Sequence, residues 1–261
     1  ASSDVWVYSE ERGGFVPPLT AIKGVGSAAV TEILERRPFL NIDEMLFTED
    51  GKWKPSKMNK TCFDSLCKVE AFGSLVELSS GNIQNHNQLH QIIVGNYDLL
   101  KKGRYGMTKT AYKKAIKEFG NVPVFINEKI LETYDICDWT RSEKITNCIS
   151  LMESADEALV FPERIMKRIN KASVPSITSL AEDEAGIVWF CIQDIEERQT
   201  KNGKVFYRMR VCDNEFNTAW LRVWTKFKQV PDLYTMWIAE VKNSKGWGSS
   251  TSSYKMRKIE V

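Results

Sequence analysis

Apolar positions recur along this chain at two different periods, and the change of period divides it. From Ser27 to Arg36 they fall at Ala29, Val30, Ile33 and Leu34, the spacing of one helix face, and Pro38 stops the run. Ile42, Met45 and Leu46 make a second short apolar face, and Thr61–Glu70 reads as a third helix with Phe63, Leu66, Cys67 and Val69. Ahead of them Val5-Trp6-Val7-Tyr8 reads as a strand, followed by a Gly-Gly turn and a return over Phe15–Leu19. Ala71–Leu75 closes this part. Residues 79–90 are polar, rich in Asn and Gln, and mark a boundary. Beyond them Thr108 caps a helix with a stripe at Ala111, Tyr112, Ala115, Ile116 and Phe119, and Gly120 is its stop signal. Further helices are expected over Ser142–Leu159 and Pro162–Lys171. From about Glu184 the period shortens to two. Gly186–Gln193, Lys204–Cys212, Phe216–Trp224, Tyr234–Val241 and Tyr254–Val261 read as five strands joined by short polar turns. The pattern predicts an α+β multidomain chain: a small helical domain over 1–78, a mainly helical middle region of unclear role over 79–184, and a five-stranded β-barrel over 185–261.

Composition narrows the class without choosing a partner. The 261 residues are 43% hydrophobic and 27% charged, ordinary for a globular protein. The net charge of +2 advertises no polyanion, so a nucleic-acid surface has to be a local patch. Six cysteines occur without a C-x-x-C pair, and none has a histidine at zinc-finger spacing, which suits reduced thiols in a cytoplasmic protein. No apolar run is long enough for a bilayer, and the start, Ala1-Ser2-Ser3-Asp4, lacks a signal-peptide profile, so no membrane partner is expected. The absence of an initial Met beside strand-like sequence reads as a chain cut from something longer, or processed.

Candidate chemistry begins at Ile22-Lys23-Gly24-Val25-Gly26-Ser27. Gly24 and Gly26 permit backbone angles and close approaches that a Cβ blocks. The helix that follows points unpaired N–H groups outward at its positive end, where a phosphate oxygen can sit without any base contact. Lys23 would add a neutralising charge. The segment resembles a helix-hairpin-helix motif; the plainer reading is a glycine-containing helix turn.

The surrounding residues extend that resemblance. Ala21–Gly26, Ala29, Ile33, Pro38, Phe39, Ile42, Met45, then Asn59, Lys60, Leu66, Ala71, Phe72, Ser74 and Leu75 are similar to the tandem helix-hairpin-helix region of the C-family replicative polymerases, the α subunit of bacterial DNA polymerase III. The match covers about a quarter of the chain. Glu70 departs from it, since the family prefers Gly there, and an acid at that point disfavours phosphate. The resemblance implies an OB-fold after this region, which the five-strand pattern over 185–261 suits. It also places the catalytic palm, with its Asp trio and Mg2+, upstream of residue 1. This chain is then expected to carry no cofactor and no polymerising activity, although its parent would be a nucleotidyltransferase.

The strands supply the second candidate surface. Phe206, Arg208 and Arg210 alternate with Tyr207, Met209 and Val211; Trp220, Arg222 and Trp224 alternate with Leu221 and Val223. One face is apolar and suits a core, while the other mixes aromatics with arginines. OB-folds bind single strands on the strand 2–3 face and through the L12 and L45 loops. Those loops are expected at Glu196–Lys204, with Arg198, Lys201 and Lys204, and at Asn243–Ser253, with Lys245 and Trp247. The competing use of Trp220 and Trp224 is to anchor a neighbouring domain. In the polymerase family the turn after strand 2 commonly carries Asp, and Asp213 keeps it.

Weaker signals remain open. His86 and His90 are four apart without a third ligand, which suits solvated or packing histidines better than a metal pair. Lys109, Lys113, Lys114 and Lys117 form a face that contacts phosphates or is simply solvated. The reading that results is the DNA-binding portion of a polymerase α subunit, bacterial or from a phage-infected cell. It would grip duplex backbone through the hairpin and single-stranded template through the barrel, alongside other replisome subunits. The alternative is a non-catalytic replication adaptor whose barrel binds protein.

Overall fold

A computed structural model describes residues 5–10, 14–73 and 83–260. Among them are ten α-helices and eight strands, an α+β chain that divides into two compact units. One comprises residues 1–140 with 147–154; the other comprises 141–146 with 155–261.

The first unit opens on a hairpin of β1 (Val7–Ser9) and β2 (Gly14–Val16), antiparallel, with Val7 opposite Val16. Of the Gly-Gly turn expected between them, Gly13 lies outside the described residues and Gly14 opens β2. Helix α1 (Ser27–Arg36) has the bounds its periodicity predicts and buries Ala29, Val30 and Ile33. In α2 (Ile42–Leu46), the Asn41 side chain accepts the Glu44 amide at 2.8 Å, and Ile42, Met45 and Leu46 are buried. Asn59 caps α3 (Lys60–Lys68) in the same way, accepting the Cys62 amide at 2.8 Å. Helix α4 (His86–Ile93) starts within the polar run 79–90. Its Asn85 cap satisfies the Gln88 amide, and Leu89, Ile92 and Ile93 are buried. They share a core with Phe63, Leu66, Met45 and Leu46, and with Leu100 of α5 (Tyr97–Leu100). Trp53 stands edge-on to Tyr97, with ring centroids 5.6 Å apart.

Helix α6 (Lys109–Phe119) also has its expected ends. Thr108 accepts the Ala111 amide at 3.3 Å, and Gly120 turns left-handed at φ +72°. Its apolar stripe, however, enters no core: none of its residues is buried, and Phe119 stands exposed. Helix α7 (Phe125–Glu132) follows, and Ile126 joins the core. The helix expected over Ser142–Leu159 is two, α8 (Arg141–Met152) and α9 (Glu157–Val160). They are separated at Glu153, whose φ of +58° cannot continue an α-helix. Asp64 of α3 binds His90 Nε2 at 2.7 Å and Lys68 at 2.9 Å, so His90 is a packing and hydrogen-bonding residue.

Glu70, the departure from the family's Gly, has φ +57°. The turn after α3 therefore has the left-handed geometry that Gly adopts without strain. The His86 ring lies 3.9 Å from the Glu70 carboxylate, a contact that glycine would give up.

In the second unit, α10 (Glu163–Lys171) buries Ile165 and Ile169 and precedes a six-stranded mixed sheet. Its strands are β3 (Ala185–Gln199), β4 (Val205–Cys212), β5 (Thr218–Val223), β6 (Met236–Ser244), β7 (Gly248–Thr251) and β8 (Met256–Lys258). Six strands stand where five were expected. Gly248–Thr251 pairs as a strand although it lies inside the segment expected to be the L45 loop, and the C-terminal run is shortened to Met256–Lys258. The pairings form a ring. β3 pairs with β4, β4 with β5, β5 with β7, β7 with β6, and β6 with the first half of β3. The β5–β7 step is parallel and the others antiparallel; β8 lies outside the ring on β6. Strand β3 serves two partners because a bulge between Ile192 and Asp194 redirects it. The alternation read from the sequence holds: Tyr207, Met209, Val211, Leu221 and Val223 are buried with Val188, Phe190 and Ile192. Among the described residues no helix is long and apolar enough to cross a membrane.

Candidate nucleic-acid interface

The outward face of β4 and β5 forms a cleft of about 370 Å³. Arg198, Phe206, Arg208, Trp220, Arg222 and Trp247 line it, six of the residues singled out from the sequence. Strand register explains the convergence. Arg208 lies opposite Arg222 across β4–β5, and Arg198 of β3 lies opposite Phe206, so three guanidinium groups reach one patch from three adjacent strands. Like charges directly opposed are unfavourable, and Glu196, opposite Arg208 in the β3–β4 ladder, offsets part of this one. Each arginine is held in place. The Arg208 guanidinium lies 3.8 Å from the Trp220 ring centroid, Arg222 donates to the Trp247 carbonyl, and Arg198 pairs with Glu196 at 2.6 Å. Trp220 and Trp247 are 45% and 72% exposed, too open to be core anchors.

The other candidates of this surface fall around the cleft. Trp224 sits just past β5 against Phe206, with centroids 5.1 Å apart, and Lys204 covers the Trp224 ring at 5.3 Å. Arg210 is exposed opposite Trp220 in the ladder, and Lys201 is exposed in the turn 200–204. The L12 expectation is corrected here. Glu196–Gln199 belong to β3, paired through Gln199 opposite Val205, and only the short turn after them is loop. Gly248 and Ser249 also line the cleft and were not anticipated from sequence. Gly248 has φ +72° with open space where a Cβ would be, so its backbone angle and not a lack of room calls for glycine there.

The turn from β4 to β5 is organised by Asp213, 5% exposed. Its carboxylate accepts from the Asn217 amide at 2.9 Å, the Glu215 amide at 3.0 Å, the Asn217 side chain at 3.2 Å, and the Thr178 hydroxyl. Burial alone would raise its pKa, but these donors outweigh burial and hold it below the ordinary value.

In the helical unit, the segment Ile22–Ser27 joins a short 3-10 turn (Leu19–Ala21) to α1. Ile22 and Val25 are buried, so the segment exposes its backbone at Gly24 and Gly26 together with Lys23 and Ser27. The Lys23 amide donates to the Leu151 carbonyl at 2.9 Å, and its ammonium pairs with Glu153 at 3.0 Å, both side chains being well exposed. Such a pair is weak enough for phosphate to displace. The two glycines do different work. Gly24 has φ +89°, and a Cβ there would lie 2.7 Å from Ser65 Oγ and 3.1 Å from Thr61 Cγ2 on α3. Gly26 caps α1 at φ −78°, with open space where a Cβ would be. Gly24→Ala is therefore expected to cost about 1–2 kcal/mol of stability from backbone strain, with or without DNA. A urea melt of the variant checks this, and an unchanged midpoint would refute it.

No protein-family model matches the chain, and a search of curated proteins returns no match.

Proposed function

We propose that this chain is the DNA-binding portion of a C-family replicative polymerase α subunit, with an OB-type barrel that holds single-stranded template and a helix-hairpin-helix that grips duplex backbone. The observation that carries the reading is the cleft of Arg198, Arg208 and Arg222 interleaved with Phe206, Trp220 and Trp247. Stacked bases need aromatic faces and a phosphodiester backbone needs cations, and this surface offers both at once. The ring of pairings supports the OB-type reading, with the ligand face on its second and third strands. The open first turn of α1 behind Gly26 supports the backbone grip, which positions a duplex and reads no sequence.

Titration of the full chain with primer–template DNA at two salt concentrations tests this. Micromolar or tighter binding that weakens steeply with salt is expected. Absence of binding at low salt would overturn it in favour of a protein-binding adaptor. Gly26→Asp isolates the hairpin. A carboxylate at the N-cap suits the helix dipole, so stability is expected to hold or rise by about 0.5 kcal/mol. The same charge repels phosphate, so duplex affinity is expected to fall about tenfold (about 1.4 kcal/mol). Unchanged duplex affinity would remove the hairpin from the interface.

A further inference from the structure

The helical unit carries a second cationic and aromatic cavity, of about 330 Å³, formed where the loop after α5 meets the turn at Gly51 and the start of α6. Two glycines bring its walls together. Gly51 and Gly103 have φ +76° and +112°, and the Arg104 amide donates to the Gly51 carbonyl at 2.8 Å. A Cβ on Gly103 would lie 2.7 Å from that same oxygen, so no side chain fits between the two strands of loop. Tyr105 from the loop and Tyr112 from α6 stack in the cavity, with centroids 4.2 Å apart and planes at 23°. Five cations and one acid, Asp50, line it. Lys52 is paired with Asp50 at 2.5 Å and Arg104 with Asp43 at 2.7 Å. Lys102, Lys109 and Lys113 have no ion pair among the described residues, and all three are exposed. Of the unburied stripe of α6, Tyr112 serves the cavity wall.

We propose that this cavity binds a nucleotide unit, its base against the Tyr105–Tyr112 pair and its phosphates on Lys102, Lys109 and Lys113. Three unpaired lysines around one cavity call for a multiply charged anion, and a stacked tyrosine pair offers a π-face to a base. The volume is at the lower end of small-ligand sites and accommodates one nucleotide. The unit is either part of a polynucleotide strand or a free nucleotide. The site uses no residue of the β4–β5 cleft, so it stands apart from the function proposed above.

The test is photo-crosslinking of the full chain with an iodouracil-substituted oligothymidylate, followed by peptide mapping. It is run on the wild type and on a Trp220→Ala, Arg222→Ala background. A crosslink to Tyr105 or Tyr112 is expected in both. Combined Lys102→Glu, Lys109→Glu and Lys113→Glu, all at exposed positions, is expected to reduce it at least tenfold in both. Competition by unlabelled dT12 but not dTTP identifies a strand as the source; the reverse identifies a free nucleotide. No crosslink to either tyrosine, or one indifferent to the lysine reversals, would overturn the proposal. So would equal displacement by inorganic triphosphate and dTTP, because the base would then contribute nothing. Absence of crosslinks to β4 and β5 in the wild type, with the tyrosine crosslink intact, would count against the cleft and not against this cavity.

Discussion

Trp220→Ala is expected to weaken binding of oligothymidylate by about tenfold or more while leaving duplex binding within twofold. Base–aromatic stacking contributes about 1–3 kcal/mol per base, and Trp220 is one of the exposed rings lining the cleft. Its removal also takes away the surface on which the Arg208 guanidinium lies at 3.8 Å, so one cation loses its fixed direction. The side chain is nearly half exposed and contributes little to the core, so the melting transition is expected to move by less than about 0.5 kcal/mol. Fluorescence anisotropy with single-stranded and duplex probes measures both affinities. Equal losses on the two probes would show that Trp220 does not act as a base platform. No loss on either would remove the cleft from the interface.

Asp213→Ala is expected to destabilise the second unit by about 2–4 kcal/mol. The substitution leaves two backbone amides, an amide side chain and a hydroxyl without their acceptor at a position only 5% exposed. Asp213→Asn keeps the shape and one acceptor, and is expected to lose less. The same carboxylate makes a pH prediction. Its folded pKa is held below the ordinary 3.8, so its contribution is complete above that value and is lost as pH falls through the folded value. Denaturant midpoints of the wild type and Asp213→Asn are therefore expected to differ most above the ordinary carboxylate value and to converge as pH falls through the lowered folded value. A gap that stays constant across this range would refute the assignment.

Which parts were legible in the sequence follows from where hydrophobicity, and where hydrogen bonding, sets an element's extent. Helix α1 was legible to the residue, because Gly26 opens it and Ala29, Val30 and Ile33 face the core. The buried faces of β4 and β5 were legible for the same reason. The expected strand stops short of the end of β3 because Asp194–Gln199 is polar apart from Ile195. Its far half is held by pairing to β4, a partner the local sequence does not announce. Strand β7, Gly248-Ser249-Ser250-Thr251, has no apolar residue at all and is a strand only because β5 and β6 flank it. At the site, charge and aromaticity marked the lining residues of β4 and β5. The Tyr105–Lys113 cavity went unseen because Gly51 and Tyr112 are brought together only by the fold.

The position of β7 has a consequence for the order in which this protein can be assembled. The ring closes through a parallel pair, Leu221 with Ser249 to Val223 with Thr251, made by some of the last residues of the sheet to be synthesised. Such non-local pairing bears the full cost of loop closure before it gains any contact, and is slow to form. A nascent chain that has emerged only through β6 already has its Trp220 and Arg222, yet lacks the Gly248–Ser249 wall and the Trp247 carbonyl that fixes Arg222. The cleft thus matures late, after most of its own side chains are present. Ribosome-bound intermediates are expected to carry an unfinished strand edge on β5 until Thr251 clears the exit tunnel.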